Sequence, residues 1–126
     1  MTLATYFEQT KGVGILSTAN AKGQVNSAIY ARPHVMPDGT VGFIMAPKRS
    51  YENLASNPQA AYLFIEDGVG YVGKRLRLTK VREEQGTPLV EELRRRTYAP
   101  QDEARIKPLT LVYFKVDEES PLVGSF

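Results

Sequence analysis

The sequence contains no cysteine among its 126 residues, and it contains a single histidine. The absence of cysteine excludes disulfide bonds, thiolate metal sites and cysteine nucleophiles. One histidine, His34, cannot by itself form a histidine metal cluster or a pair of imidazoles within one chain. Its position beside Pro33 is typical of a residue at the end of a strand.

Long hydrophobic runs are also missing, since no segment approaches the roughly 20 apolar residues that a membrane-spanning helix needs. The N-terminus lacks the basic-then-apolar pattern of a signal peptide, so we expect a soluble cytoplasmic protein. The net charge is only +2, from 16 basic and 14 acidic residues. The composition therefore predicts no broad electrostatic field that would attract nucleic acid.

Known catalytic motifs are absent as well: there is no nucleophile elbow, no P-loop, no G-x-G-x-x-G and no cluster of metal ligands. Paired acids occur at 66–67, 83–84 and 91–92, where turns or an exposed helix side are expected, so we interpret them as surface residues. The sequence identifies no catalytic residue and no metal site. Any chemistry would have to come with a bound cofactor.

Chain length and patterning predict a single domain covering residues 1–126, with a hydrophobic content of 42%. The pattern is mainly β and predicts six strands, at 13–20, 25–32, 41–46, 59–66, 71–82 and 109–117. Short helices are predicted at 2–11, after Ser50 and after Thr87. A Pro-Asp-Gly turn at 37–39 is expected to join the second strand to the third. We expect a six-stranded antiparallel barrel, closed or nearly closed, with short covering helices.

The most informative stretch is A-P-K-R-S-Y-E-N-L-A-S-N-P at 46–58, which lies between two apolar strands. Ser50 is predicted to be the N-cap of a short helix, with Asn53 three residues later to complete the cap. Asn57 and Pro58 are expected to end that helix, because a proline and the residue before it disfavour helical backbone.

Lys48, Arg49 and Ser50 place two cations and a hydroxyl at the predicted start of this helix. Unpaired N–H groups, the helix dipole and a charge-assisted arginine would all act on one point, which suits a phosphate. The alternative is an ordinary solvated basic turn.

A second basic stretch lies on the predicted fifth strand and comprises Lys74, Arg75, Arg77, Lys80 and Arg82. It allows a different function, a nucleic-acid-binding small barrel. Against it, the basic residues fall on both faces of the strand. The run at 94–96 is interpreted as cations that complement a helix C-terminus.

The order of these features resembles the pyridoxamine 5′-phosphate oxidase-like family of FMN-binding split barrels. The resemblance covers roughly residues 2–80, and the segment K-R-S-Y-E-N-L-A-S-N-P is its most specific part. The family implies an FMN cofactor held at the interface of a homodimer. It also implies that the phosphate lies on the turn after the third strand and the ring along the second strand.

Transferred to this chain, the resemblance implies that Lys48, Arg49 and Ser50 hold the phosphate, while Asn53 braces the turn or reaches the phosphate. Arg75 and Arg77 would reach the flavin, either within the chain or across the dimer interface. The residues implied to run along the ring are Asn26, Ser27, Ala28, Ile29 and Tyr30.

The chain departs from the family's oxidases at Ala28, where they carry arginine, and at Ser50, where they carry lysine. Nothing after Leu109 resembles the segment with which they hold pyridoxal phosphate, so true pyridoxamine phosphate oxidation is not expected. The resemblance is to short flavoproteins that transfer electrons or act on a small substrate, and whether this chain is such an oxidoreductase stays open. A non-catalytic flavin-binding role, and a deazaflavin or haem ligand, also stay open.

Overall fold

A computed structural model of the chain describes residues 1–97 and 109–124, with backbone alone for 94–97. Within these ranges the chain forms seven strands and three helices. In chain order they are α1 (Leu3–Gln9), β1 (Gly12–Ala19), β2 (Val25–Ile29), β3 (His34–Val35), β4 (Val41–Met45), α2 (Arg49–Ser56), β5 (Gln59–Glu66), β6 (Gly73–Glu84), α3 (Pro88–Thr97) and β7 (Thr110–Pro121).

All seven strands belong to one antiparallel sheet with the order β2-β1-β5-β6-β7-β4-β3. Register shifts between Arg77 and Leu78 and between Lys80 and Arg82 interrupt the β6–β7 ladder. Such bulges increase the local twist and bend of a sheet. The two ends of the sheet approach each other, since the ring of Tyr30, after β2, lies 5.9 Å from that of Phe43 in β4, which pairs with the edge strand β3. The sheet is thus a barrel that is split between its two edges.

Two apolar clusters hold this sheet together. The larger cluster fills the inside of the barrel around Phe43, Tyr62, Phe64 and Phe114. Burying each such ring contributes about 1.5–3 kcal/mol to the free energy of unfolding. The helix α1 covers one end, and its Phe7 ring packs edge-on against Phe64 at 5.4 Å. The second cluster lies between α3 and the outer side of β4 and β7.

The predicted fold class is confirmed, and the strand count is wrong by one. Strand β2 ends at Ile29, before Pro33, and the chain then forms the two-residue strand β3. The Pro-Asp-Gly turn is confirmed as a hairpin, with Gly39 at φ 88° and Met36 N–H donating to Thr40 O at 2.8 Å. However, this turn joins β3 to β4 instead of joining the second predicted strand to the third.

The C-terminal predictions are partly outside the described residues. The helix after Thr87 is confirmed as α3, whereas the side chains of residues 94–96 and the connection at 99–108 are not described. The last strand extends to Pro121, beyond the predicted end at residue 117. In the described part of the chain, no helix is long and apolar enough to cross a membrane.

Candidate ligand-binding site

The N-terminus of α2 is open, which here means that no side chain caps its first N–H groups. Its N-cap, Lys48, has extended backbone angles of φ −121° and ψ −170°, and no side chain caps the helix. The first intrahelical bond runs from Glu52 N–H to Lys48 O at 2.9 Å, so the N–H groups of the three residues before Glu52 have no acceptor within the helix. Such a terminus carries a partial positive charge and attracts anions.

The two cations at this terminus have no ion-pair partner among the side chains that the structure describes. Lys48 and Arg49 are exposed, and neither forms an ion pair with any residue in 1–93 or 109–124. Their charges therefore add to the dipole of α2 at one place.

The predicted cap at Ser50 is wrong. Helix α2 begins at Arg49, two residues earlier than a cap at Ser50 would place it, so Ser50 lies within the first turn and is only 4% exposed. Its Oγ accepts a hydrogen bond from Asn26 Nδ2 at 3.0 Å, which ties β2 to α2. Because that bond uses an acceptor position, the O–H of Ser50 remains available to donate to a ligand.

Asn53 does not complete a cap with Ser50. It is 3% exposed, and its Nδ2 donates to Thr18 Oγ1 of β1 at 3.1 Å. Asn53 thus braces α2 against the sheet, and it does not line the cleft described next. The predicted end of α2 is confirmed, since Asn57 is extended and its N–H donates to Asn53 O.

A cleft of about 600 Å³ opens from the α2 terminus into the split between the two sheet edges. One wall is β2 with the segment that follows it, and the other wall is formed by β3 and β4. Most of the predicted site residues come together here. Those that line the cleft are Asn26, Ser27, Ala28, Ile29, Tyr30, Lys48, Arg49 and Ser50.

Strand β2 offers backbone groups to this cleft because it is an edge strand. Tyr30 N–H donates to Gly14 O of β1 at 2.9 Å. Since backbone groups alternate in direction along a strand, the N–H and C=O of Ser27 and Ile29 point away from β1. These groups are placed to pair with a planar polar edge of a ligand.

Sequence reasoning missed part of the lining. Arg32 and His34 also line the cleft, together with Ala31, Phe43, Ile44 and Ala46. Arg32 donates from Nη1 to Phe7 O and to Thr10 O, each at 2.8 Å, and so anchors the segment after β2 to the end of α1. No local pattern marks these residues as a ligand site. Ala31 and Arg32 follow β2 in the chain, whereas the closure of the sheet brings the others to β2.

Arg75 and Arg77 lie on β6, outside the cleft of their own chain. Arg75 Nε donates to Pro121 O at 3.0 Å, and Arg77 Nη1 lies 3.7 Å from Glu118 Oε1. Both side chains belong to the outer face of the sheet, because Arg75 is paired with Leu63 and Arg77 with Ala61.

The remaining cations of β6 are also engaged within the chain. Lys74 Nζ lies 2.5 Å from Glu119 Oε1 and Lys80 Nζ lies 3.4 Å from Glu83 Oε1. The guanidinium of Arg82 lies 3.6 Å from the centre of the Tyr113 ring. This arrangement gives the basic stretch structural roles and does not favour the nucleic-acid hypothesis.

Part of the outer face beside the cleft is apolar. Ile29, Ile15 and Leu63 are aligned across β2, β1 and β5, and Val13 is paired with Ile65 in the next row on that face. Ile29 is 71% exposed and also lines the cleft. The apolar face and the cleft are therefore continuous.

No protein-family model matches the chain, and no curated protein matches it in sequence. Solved structures do match it. An FMN-binding protein from Syntrophomonas wolfei subsp. wolfei is 15% identical, with a TM-score of 0.77 over 98% of this chain and 86% of that one. HutZ, the haem storage protein from Vibrio cholerae, is 15% identical, with a TM-score of 0.72 over 93% and 90%.

A candidate pyridoxamine 5′-phosphate oxidase from Lactobacillus delbrueckii is 13% identical, with a TM-score of 0.68 over 95% of this chain and 93% of that one. Identities this low establish the fold alone. At that level the resemblance predicted from the sequence is confirmed, and the chain is a split-barrel protein with the architecture of the pyridoxamine 5′-phosphate oxidase-like structures.

Proposed function

We propose that this protein binds FMN in the cleft between its sheet edges and acts as a redox flavoprotein. The observation that carries the proposal is the uncapped terminus of α2, which opens into the cleft with two cations that form no ion pair within 1–93 and 109–124. The FMN-binding protein from Syntrophomonas wolfei, which has the same fold, supports the choice of ligand.

The phosphate of FMN fits the α2 end of the cleft. Lys48 and Arg49 supply positive charge, the first-turn amides supply donors, and Ser50 supplies a hydroxyl that Asn26 holds in place. Hydrogen bonds of this charge-assisted kind contribute about 1.5–3 kcal/mol each.

The isoalloxazine ring fits along β2. Its polar edge can pair with the outward backbone groups of Ser27 and Ile29, while Tyr30 and Phe43 provide aromatic surface. Bound FMN supplies one- and two-electron chemistry, and the protein supplies binding, orientation and exclusion of water. We infer either electron transfer or the flavin-dependent reduction or oxidation of a small substrate.

The proposal includes a homodimer. The apolar face that contains Ile15, Ile29 and Leu63 is continuous with the cleft, so a second subunit on that face would also cover the ligand. Of the two arginines proposed to reach the flavin across the interface, Arg77 is the better placed. Its side chain is 58% exposed, whereas Arg75 is bound to carbonyl groups near the end of β7.

Sedimentation equilibrium tests the dimer. The expected mass is twice the 14.0 kDa of the chain. Ile15→Glu should produce monomers, because it places a charge at the centre of the apolar face, between Ile29 and Leu63. Val81→Glu, at an exposed position of β6 away from that face, is the matched control and should leave the dimer intact. A monomeric wild-type protein would contradict this part of the proposal.

Absorbance spectroscopy tests the ligand. Titration with FMN should saturate near one flavin per chain, and dithionite should bleach the bound flavin bands. A protein that leaves the spectrum and fluorescence of FMN unchanged would refute the proposal.

Haem is the second candidate, because His34 lines the cleft and imidazole is a common axial ligand of haem iron. HutZ, a haem storage protein, shares the fold. Titration with haemin separates the candidates. If haem is the ligand, a Soret band should appear with wild-type protein and weaken in His34→Ala, while FMN should not bind.

A further inference from the structure

A buried hydroxyl lies beneath the end of β2. Tyr62 of β5 is 1% exposed, and its hydroxyl donates to Tyr30 O at 3.1 Å. Burial raises the pKa of this hydroxyl, so it remains a donor throughout the neutral range. Its partner, Tyr30, lies at the point where β2 leaves the sheet and lines the cleft.

The chain makes room for this hydroxyl at one glycine. A Cβ on Gly14 of β1 would lie 1.8 Å from the Tyr62 hydroxyl oxygen and 2.6 Å from Tyr30 O. Any side chain at position 14 would therefore displace the tyrosine, the carbonyl or both. The contact between Tyr62 and Tyr30 depends on the absence of that side chain.

The ring of Tyr62 connects the contact to the barrel interior. Its centre lies 5.0 Å from that of Phe43, which in turn packs edge-on against Tyr30 at 5.9 Å. The same segment is held further along by Arg32, which donates to two carbonyls at the end of α1. Two contacts therefore hold the end of β2. Tyr62 binds it from the barrel interior, and Arg32 anchors the segment that follows it.

We propose that Tyr62 is a positioning residue, whose hydroxyl fixes the Tyr30 carbonyl and so sets the wall of the cleft against which the ligand ring lies. This inference rests on the proposed function. Tyr62 does not line the cleft and would act through Tyr30, much as Asn26 positions Ser50 at the phosphate end.

The test compares Tyr62→Phe with wild type for two ligands, FMN and riboflavin, which differ by the phosphate. Phenylalanine keeps the ring and removes only the donor, so the fold should persist. We expect both affinities to fall by about fivefold, with the ratio between them unchanged, because the loss is at the ring end. A merely structural role would lower the melting temperature and leave both affinities of the folded protein unchanged.

Tyr113→Phe is the matched control. Tyr113 is also buried and its hydroxyl donates to Glu84, but it belongs to the cluster under α3 and does not line the cleft. It should change neither affinity. Equal affinities for wild type and Tyr62→Phe, or an equal loss in both tyrosine variants, would overturn the inference.

Amide hydrogen exchange without ligand separates this inference from the proposed function. Exchange at residues 30–32 should accelerate in Tyr62→Phe and not in Tyr113→Phe, because only the first variant releases the end of β2. If wild type binds neither flavin, the proposed function fails, and the exchange comparison still decides whether Tyr62 fixes this segment. Unchanged exchange in Tyr62→Phe overturns the inference in either case.

Discussion

Two basic stretches of the chain have similar charges and opposite environments. Lys48 and Arg49 lie at an open helix terminus without ion-pair partners among the described residues. The cations of β6, from Lys74 to Arg82, each contact a carboxylate, a carbonyl or an aromatic ring of their own chain. We therefore place the proposed ligand site at the first stretch, because the fold leaves its charges uncompensated within the described residues.

The largest expected effect on FMN affinity comes from removing the two uncompensated cations, Lys48 and Arg49. In Lys48→Ala/Arg49→Ala, FMN affinity should fall by about a hundredfold, because two charge-assisted contacts to phosphate are lost. Riboflavin, which lacks the phosphate, should bind within about twofold of wild type. Flavin fluorescence quenching measures both affinities.

The matched control removes the same number of charges from β6. Lys80→Ala/Arg82→Ala should leave FMN affinity unchanged, since both side chains are engaged within the chain and neither lines the cleft. A similar loss of FMN affinity in both double variants would show that only the overall charge matters, contrary to the comparison.

An intermediate effect is expected for the neutral residues that support the open terminus. Asn26→Ala and Ser50→Ala should each lower FMN affinity by about fivefold, because the Asn26 amide holds the Ser50 hydroxyl at 3.0 Å. The double variant should lose little more than either single variant, since both changes break one contact. Isothermal titration of the four proteins tests this, and additive losses would mean that the two residues act independently.

The smallest effect is expected on β6, whose cations already contact groups of their own chain, and it concerns the free energy of unfolding. Arg77→Ala and Glu118→Ala should each change the free energy of unfolding by less than about 0.5 kcal/mol. Their ion pair spans 3.7 Å, and both side chains are about half exposed. Urea denaturation measures the change, and a loss of several times this size would indicate that the β6 pairs are a main source of stability.

The sequence predicted the elements whose signals are local. The Pro-Asp-Gly hairpin, the end of α2 at Asn57 and the apolar run of β4 were all recognisable, because turn residues and continuous hydrophobic patterns act over a few positions. The two-residue strand β3 was missed, since its pairing with β4 is too short to leave a pattern.

The candidate site was predictable only where its residues belong to a local sequence motif. The cations and hydroxyl at 48–50 belong to one local motif, and their neighbours on β2 came from the family resemblance. The roles of Ser50 and Asn53 in capping were wrong, because tertiary partners, Asn26 and Thr18, bind their side chains instead. Arg32 and His34 could not be assigned to the cleft from the sequence, because neither belongs to the local motif at 48–50. The contact between Tyr62 and Tyr30 could not be predicted either, because it depends on how β5 packs against the end of β2.

The ratio of the riboflavin and FMN dissociation constants of the wild-type protein tests the central claim most directly. The two ligands share the ring and differ at the phosphate, so the ratio measures what the open α2 terminus contributes. We predict that FMN binds at least about a hundredfold more tightly than riboflavin, in line with the uncompensated charges of Lys48 and Arg49. Equal affinity for the two flavins would contradict the assignment of this terminus as the phosphate site.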